Sequence, residues 1–336
     1  TSDKVEKYPK VKYRLVEQDD FEFDRKFDLF PFVPKDSESL NQIIEMQAGS
    51  VYKRLNYIGI EKTVIGVSGG LDSTLALLSL VYMCDKYNID RKNIIALTLP
   101  TSNSSDLSRQ NALQLIEHFE VTHKNIMIEE EVNRQLNSIG HKGIKKDITY
   151  ENVQARYRTY TLMNTANLNN AIVIGTSDMS EVALGWSTFN GDQMAMYGIN
   201  AGLPKTVVRA VVKHYKDVYP EIQSTLESIL KAPISPELSG NNQETEAIIG
   251  KYEINDFILY RFLSNGDNEE RIIYLLTKFL GLNNIEARDY VNNFFNRFFK
   301  QQFKRLTMPE SVKILKFGLS PRSEFKLNGD VYKPSK

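Results

Sequence analysis

Residues 63–76, TVIGVSGGLDSTLA, constrain this chain more than any other stretch. Val64, Ile65, Gly66 and Val67 make the β-branched run of a strand buried on both faces, and Leu75, Leu77, Leu78, Leu80 and Val81 continue as a helix interior does. Between them lies Ser68-Gly69-Gly70-Leu71-Asp72-Ser73. Two glycines let the backbone reach positive φ and approach a ligand closely. The helix that follows turns its free N–H groups and the positive end of its dipole on the same point. An anion fits there. A bare Gly-Gly pair marks only a tight connection, but hydroxyls flank this one. Asp72 also stands beside the anion site, where a bound cation makes a carboxylate welcome. The unit reads as a nucleotide-phosphate site. It is not a Walker A loop, because no G-x-x-x-x-G-K-[ST] occurs in the chain.

The strand does not stand alone. Residues 93–99 (NIIALTL) predict a second strand, 125–128 a third, and 106–119 a helix between them. The run 171–175 (AIVIG) adds another buried strand. This alternation predicts an α/β fold, a doubly wound parallel sheet flanked by helices, with ligands beyond the carboxyl ends of its strands. Residues 100–105 (PTSNSS) follow such an end and read as a lip of the nucleotide site. A helix is predicted at 37–55, with Leu40, Ile43, Ile44, Gln47 and Val51 on one stripe. From Glu244 onward helix patterns replace strand signals. The stretch 290–303 sets Phe294, Phe295, Phe298, Phe299 and Phe303 at core spacing, and 313–336 reads as an irregular tail.

At 336 residues the chain predicts one main core with an appended region. We divide it into an extended N-terminal arm or linker at 1–36, an α/β domain at 37–240 and a helical C-terminal region with its tail at 241–336. Charge is balanced, with 42 basic against 42 acidic side chains, so neither a nucleic acid nor a membrane surface is indicated. The single cysteine, Cys84, excludes an internal disulfide and reads as a packed thiol. No long apolar span or signal peptide appears, and a cytoplasmic chain is expected. The chain opens on threonine, which suggests a trimmed form.

Two further constellations carry chemistry. Residues 149–167 read as a helix with Asn152, Gln154, Arg156 and Arg158 near its start, where arginine gains nothing from the dipole. They are either held by an anion or solvated. After strand 171–175 comes Thr176-Ser177-Asp178-Met179-Ser180-Glu181. Alone, Asp178-x-x-Glu181 is an N-cap arrangement. At the end of a parallel strand, however, Thr176 and Glu181 face the same crevice as Asp72. Asp72 and Glu181 would then hold Mg²⁺ bridging ATP phosphates. The stretch 187–205 is long, glycine-punctuated and aperiodic, as functional loops are. It ends in Lys205, placed either to meet a β- or γ-phosphate or to be solvated.

The loop SGGLDS resembles the pyrophosphate loop of the ATP pyrophosphatases, which implies an adenine nucleotide alpha hydrolase-like fold and adenylation of a substrate oxygen. Together SGGLDST, ENVQARYR and GTSDMSEVALGWSTFNGDQMAMYGINAGLPKT resemble the synthetase portion of NAD synthetase. PFVP and QFKRLTMPESVKILKFGLSPR are similar to its glutamine-dependent bacterial branch. The resemblance covers about residues 30–325. It implies conversion of deamido-NAD, ATP and ammonia to NAD, AMP and pyrophosphate through an adenylated carboxylate. It also implies Gly66, Ser68, Gly69, Gly70, Asp72, Ser73 and Thr176 at ATP, Lys205 at a phosphate, and Asp72 with Glu181 at Mg²⁺. Asn152, Arg156, Glu181, Trp186, Ser187, Thr188, Phe189, Asp192 and Lys304 would meet deamido-NAD, and Asp72, Glu181 and Lys205 would carry catalysis. The family further implies a homo-oligomer, at least a dimer.

The sequence departs from the family twice. Ammonia-dependent members carry a lysine near the position of Thr188-Phe189, so Lys304 is the candidate for that charge here. Glutamine-dependent members carry an upstream nitrilase-like glutaminase domain, which this sequence lacks, so ammonia is the expected nitrogen source. Two other readings stay open: another adenylating enzyme, such as the amidating domain of GMP synthetase, and a non-catalytic ATP-binding module.

Overall fold

A computed structural model describes residues 11–14, 27–102, 104–234 and 245–333. Five parallel strands, β1 (Lys62–Gly66), β2 (Ile94–Thr98), β3 (Thr122–Asn125), β4 (Ala171–Gly175) and β5 (Tyr197–Gly198), form one sheet in the order β3-β2-β1-β4-β5. Helices α1 (Ser37–Ile58), α2 (Leu71–Tyr87), α3 (Asp106–His118), α4 (Glu129–Ser138), α5 (Ile148–Leu168) and α6 (Met179–Leu184) surround the strands. α7 (Lys205–Val218) and α8 (Gln223–Lys231) follow. A C-terminal set comprises α9 (Thr245–Ile249), α10 (Tyr252–Asn265), α11 (Glu269–Leu280), α12 (Asn284–Lys300) and α13 (Gln302–Leu306).

The period-two rule sorts the central strands onto two cores. Ile65, Ala96, Ile172 and Ile174 join the large cluster built with α1, α2 and α7, whereas Val64, Ile95, Leu97 and Val173 pack with Leu162, Met163 and Ala166 of α5. Helices therefore cover both faces. Strand order reverses between β1 and β4, and this switch point opens a crevice where a ligand can enter between their following loops. The C-terminal helices extend the large cluster: Phe257, Phe294, Phe295, Phe298 and Phe299 belong to it with Val207 and Val211 of α7. Of the N-terminal aromatics, Phe32 meets Tyr260 edge-on and Phe27 meets Phe279, so residues 27–34 lie against those helices. The rest of the arm reading falls outside the described residues, save 11–14 and 35–36.

Three expectations shift. The third strand forms at Thr122–Asn125 instead of 125–128, because an edge strand paired only with β2 tolerates alternating polar residues. Ile126 and Ile128 instead pack in a small cluster with Val132 and Leu136 of α4. The last long helix stops at Lys300, so Phe303 leaves the aromatic core stripe, stays 42% exposed and contacts Phe189 from α13. β5 and α4 have no counterpart in the sequence reading: two residues are too few for a period, and EEEVNRQLNS carries only two buried positions. Among the described residues no helix is long and apolar enough to cross a membrane.

Candidate active site

Gly66 ends β1, and the following loop delivers the chain to the N-terminus of α2. The conformational demand falls on Gly69, at φ +80°, where a Cβ would lie 1.9 Å from the Ser108 carbonyl oxygen. Gly70 is different from expectation: it is an extended N-cap at φ −90°. Having no side chain, it leaves the helix end open for an external anion. The hydroxyls tie the loop together. Ser68 Oγ accepts from Gly70 N at 3.2 Å and lies 3.1 Å from Ser73 Oγ, while Thr74 Oγ1 donates to Gly70 O at 2.8 Å.

Beside this loop sits a charged cluster. Lys205, the first residue of α7, lies with its ammonium 2.6 Å from Asp72, 3.0 Å from Asp178 and 3.0 Å from Glu181. Its side chain is 3% exposed. Burial opposes its charge, yet Asp178, Asp72 and Glu181 together hold its pKa well above the ordinary lysine value. Burial raises the carboxyl pKa values in turn: Asp178 goes well up, and Glu181 rises to about 7 with Asp72 adding repulsion and Lys205 opposing. One ammonium does not neutralise three carboxylates.

Asp72, Asp178 and Glu181 offer one oxygen each, all within 4.8 Å of one another. Asp72 Oδ1 is buried without a hydrogen-bond partner. Three hard oxygen donors crowded together and an orphaned carboxylate oxygen fit a Mg²⁺-like cation, which would take the place of the protons that burial favours on Asp178 and Glu181. Asp178 was legible only as an N-cap. It does cap α6, accepting from Glu181 N at 2.8 Å, but its second oxygen makes the ion pair with Lys205.

The loop after β1 with Asp72, Glu181 and Lys205 opens on one cavity of about 700 Å³, bounded also by α5, the turn after α6 and α12, with Asp178 buried behind it. Every predicted site residue lines it: Gly66, Ser68, Gly69, Gly70, Asp72, Ser73, Asn152, Arg156, Thr176, Glu181, Trp186, Ser187, Thr188, Phe189, Asp192, Lys205 and Lys304. The loop beyond α6 is internally braced. Thr188 donates its N–H to Asp192 Oδ1 and its hydroxyl to Asn152 Oδ1, both at 2.8 Å, and Arg156 Nε donates to Phe189 O at 3.2 Å. Lys304 points its ammonium at the carbonyls of Gly185 (2.8 Å) and Ser187 (2.6 Å), so it fastens this loop from α13.

A buried relay supports the crevice from behind. Asn200 donates to Asp72 O at 2.9 Å and to Thr176 O at 3.0 Å, joining the two strand-end loops. Gln47 donates to Asn200 Oδ1 at 2.9 Å and accepts from Ser79 at 2.9 Å. Sequence reasoning missed Asn200, which sits in an aperiodic loop. Gln47 did carry a signal: a glutamine on an apolar stripe needs a buried partner. Tyr252 of α10, its ring 5.1 Å from the Lys205 ammonium, was also missed, since nothing local distinguishes it from core.

The NAD synthase family matches residues 43–309. The glutamine-dependent NAD(+) synthetase of Mycobacterium leprae is 35% identical over 91% of this chain and 51% of its own length. That of Aquifex aeolicus is 29% identical over 84% of this chain and 46% of its own. The chain thus spans about half the length of these relatives. Among solved structures, a glutamine-dependent NAD(+) synthetase from Cytophaga hutchinsonii superposes with TM-score 0.70 over 87% of this chain and 54% of that one, at 19% identity, a likeness of fold. An NMN synthetase from Francisella tularensis gives TM-score 0.60 and 26% identity over 79% and 94%. The matched segment runs from α1 to the turn after α13 and so contains every residue of the cavity described above: the chain belongs to the NAD synthase family.

Proposed function

We propose that this chain amidates the nicotinate carboxylate of deamido-NAD, consuming ATP and ammonia and releasing NAD, AMP and pyrophosphate. One observation carries the reading: an open helix N-terminus, a carboxylate–lysine cluster and the braced 186–189 loop share a single cavity. Ammonia cannot expel oxide from a carboxylate, so the carboxylate must first be activated. Its oxygen attacks the α-phosphorus of ATP, pyrophosphate departs, and ammonia then displaces AMP from the acyl carbon.

In this scheme Ser68, Gly69, Gly70 and Ser73 with the end of α2 grip the departing pyrophosphate, and Gly66 and Thr176 border the nucleotide. Lys205 moves charge onto the phosphates when they arrive. Asp72, Asp178 and Glu181 would hold Mg²⁺, which when bound neutralises the phosphates and stabilises the leaving group. Asn152, Arg156, Trp186, Ser187, Thr188, Phe189, Asp192 and Lys304 shape the wall for the acid substrate. Catalysis is positioning and charge stabilisation, with no covalent bond to the protein.

The likeness to an NMN synthetase supports one second reading, in which the acid is the mononucleotide. Pyrophosphate release from Mg-ATP, with ammonium present, decides between them. We expect release with deamido-NAD at least tenfold faster than with nicotinate mononucleotide. The reverse order would favour the second reading, and release with neither would reject both.

A further inference from the structure

Arg297 stands on the cavity wall, and among the described residues it has no counter-charge. It lies in the last turn of α12, half-buried, with its guanidinium carbon 5.1 Å from the centre of the Trp186 ring. Its Nε donates to Asn293 Oδ1 at 3.3 Å. Two other arginines of the C-terminal helices pair with acids, Arg261 with Asp267 and Arg288 with Glu270. Among the described residues Arg297 has no such pair.

A cation in a last turn gains from the helix dipole, and that accounts for the exposed Lys300 nearby. It does not account for a guanidinium drawn under cover onto an indole face. Burial depresses the Arg297 pKa; the indole face offsets part of that cost, but among the described residues no carboxylate does. Lys304 shares the wall: burial lowers its pKa, Asp192 opposes this, and the Arg297 charge lowers it further, so the two cations are close. A wall that gathers two half-buried cations suits an anion.

Of the two, Lys304 is committed to the carbonyls of Gly185 and Ser187. Arg297, stacked on Trp186 with Nε on Asn293, keeps both Nη groups without a protein partner among the described residues. Two parallel N–H donors on a planar cation match a carboxylate. Lys205, which lines the same cavity, is already paired with Asp72, Asp178 and Glu181.

We propose that Arg297 is a specificity-determining residue that reads the carboxylate of the acid substrate and rejects the amide product. This inference rests on the amidation reading above. The acid presents two acceptor oxygens to the guanidinium. The amide presents one oxygen and an NH₂ whose donors face donors, so the contact that draws substrate in weakens once the carboxylate has become an amide.

The test is calorimetric binding of deamido-NAD and of NAD to the whole chain, wild type against Arg297→Gln and Arg297→Lys, with thermal unfolding followed in parallel. In wild type the acid binds more tightly than the amide. In Arg297→Gln the deamido-NAD affinity falls roughly tenfold or more while NAD affinity stays within about twofold. Arg297→Lys keeps the charge and loses the fork, so it too loses acid affinity selectively; it carries the test should the glutamine variant unfold. Equal weakening of both ligands, or unchanged acid affinity in both variants, overturns the proposal. Binding of neither ligand to wild type instead overturns the amidation reading beneath it.

Discussion

At the scale of single residues, the loop between β1 and α2 rests on one backbone conformation. Gly69 sits in the left-handed region and presses against the Ser108 carbonyl of α3. An alanine there bears a conformational cost on the order of 1–3 kcal/mol, and backbone overlap adds to it. We therefore expect Gly69→Ala to lower the unfolding temperature by several degrees and to weaken ATP binding more than acid binding. A variant that melts like wild type with unchanged ATP affinity would remove Gly69 from the loop's design. Alanine at Gly70, whose φ of −90° suits any residue, serves as the control for the unfolding temperature alone, because Gly70 itself borders the anion site.

At the scale of elements, α7 shows how the site is tied to the C-terminal helices. Its N-cap is Pro204, which supplies no side-chain acceptor. The missing acceptor comes from α10: Asp256 Oδ2 accepts from Thr206 N at 2.9 Å and from Thr206 Oγ1 at 2.7 Å, and Oδ1 accepts from the Ser180 hydroxyl. A carboxylate at a helix N-terminus is favoured by the dipole, but burial outweighs the hydrogen bonds from Ser180 and Thr206 and raises the Asp256 pKa from 3.8 to about 6.

The sign follows from proton linkage. Between about pH 4 and pH 6 the folded chain holds a proton that the unfolded chain has released. Stability from this group is fully present below pH 4 and is lost as pH rises to about 6, a span worth about 3 kcal/mol. Asp256→Asn removes that titration. Its unfolding free energy, set against wild type in urea, should therefore show a wild-type advantage that shrinks from pH 4 to pH 6.5. A difference independent of pH would contradict the assignment.

Elements of this kind also mark what could be read in advance. β1, β2 and β4 were legible as short β-branched apolar runs, and α2 and α5 as long helix-forming stretches, each set between punctuated flanks. Asp72, Glu181 and Lys205 were legible because they close strand-end loops or open helices. The bond from Asp256 to Thr206 was not, since it joins positions 50 residues apart with no local signature on either. The same holds for the placement of Asp178 against Lys205, because an N-cap explains that aspartate fully at the level of sequence.

At the scale of the whole molecule, the cavity draws on residues from Gly66 to Lys304, so neither the sheet nor the helical region builds it alone. The sheet supplies an open helix end and the acids, which are general to chemistry on ATP. The helical region supplies Tyr252 beside the Lys205 ammonium, and Arg297 and Lys304, which under the proposed function face the acid to be activated. On this account the loop sets the bond that breaks, and the distant wall sets the acid that enters.

Under the proposed function, the carboxylate oxygen of the acid substrate attacks the α-phosphorus of ATP. This attack is tested most directly with deamido-NAD labelled with ¹⁸O in its carboxylate and turned over with Mg-ATP and ammonium by the purified chain. One labelled oxygen should appear in the phosphate of AMP, with pyrophosphate unlabelled. Label in pyrophosphate or inorganic phosphate, or NAD formed with unlabelled AMP, would contradict the adenylation account.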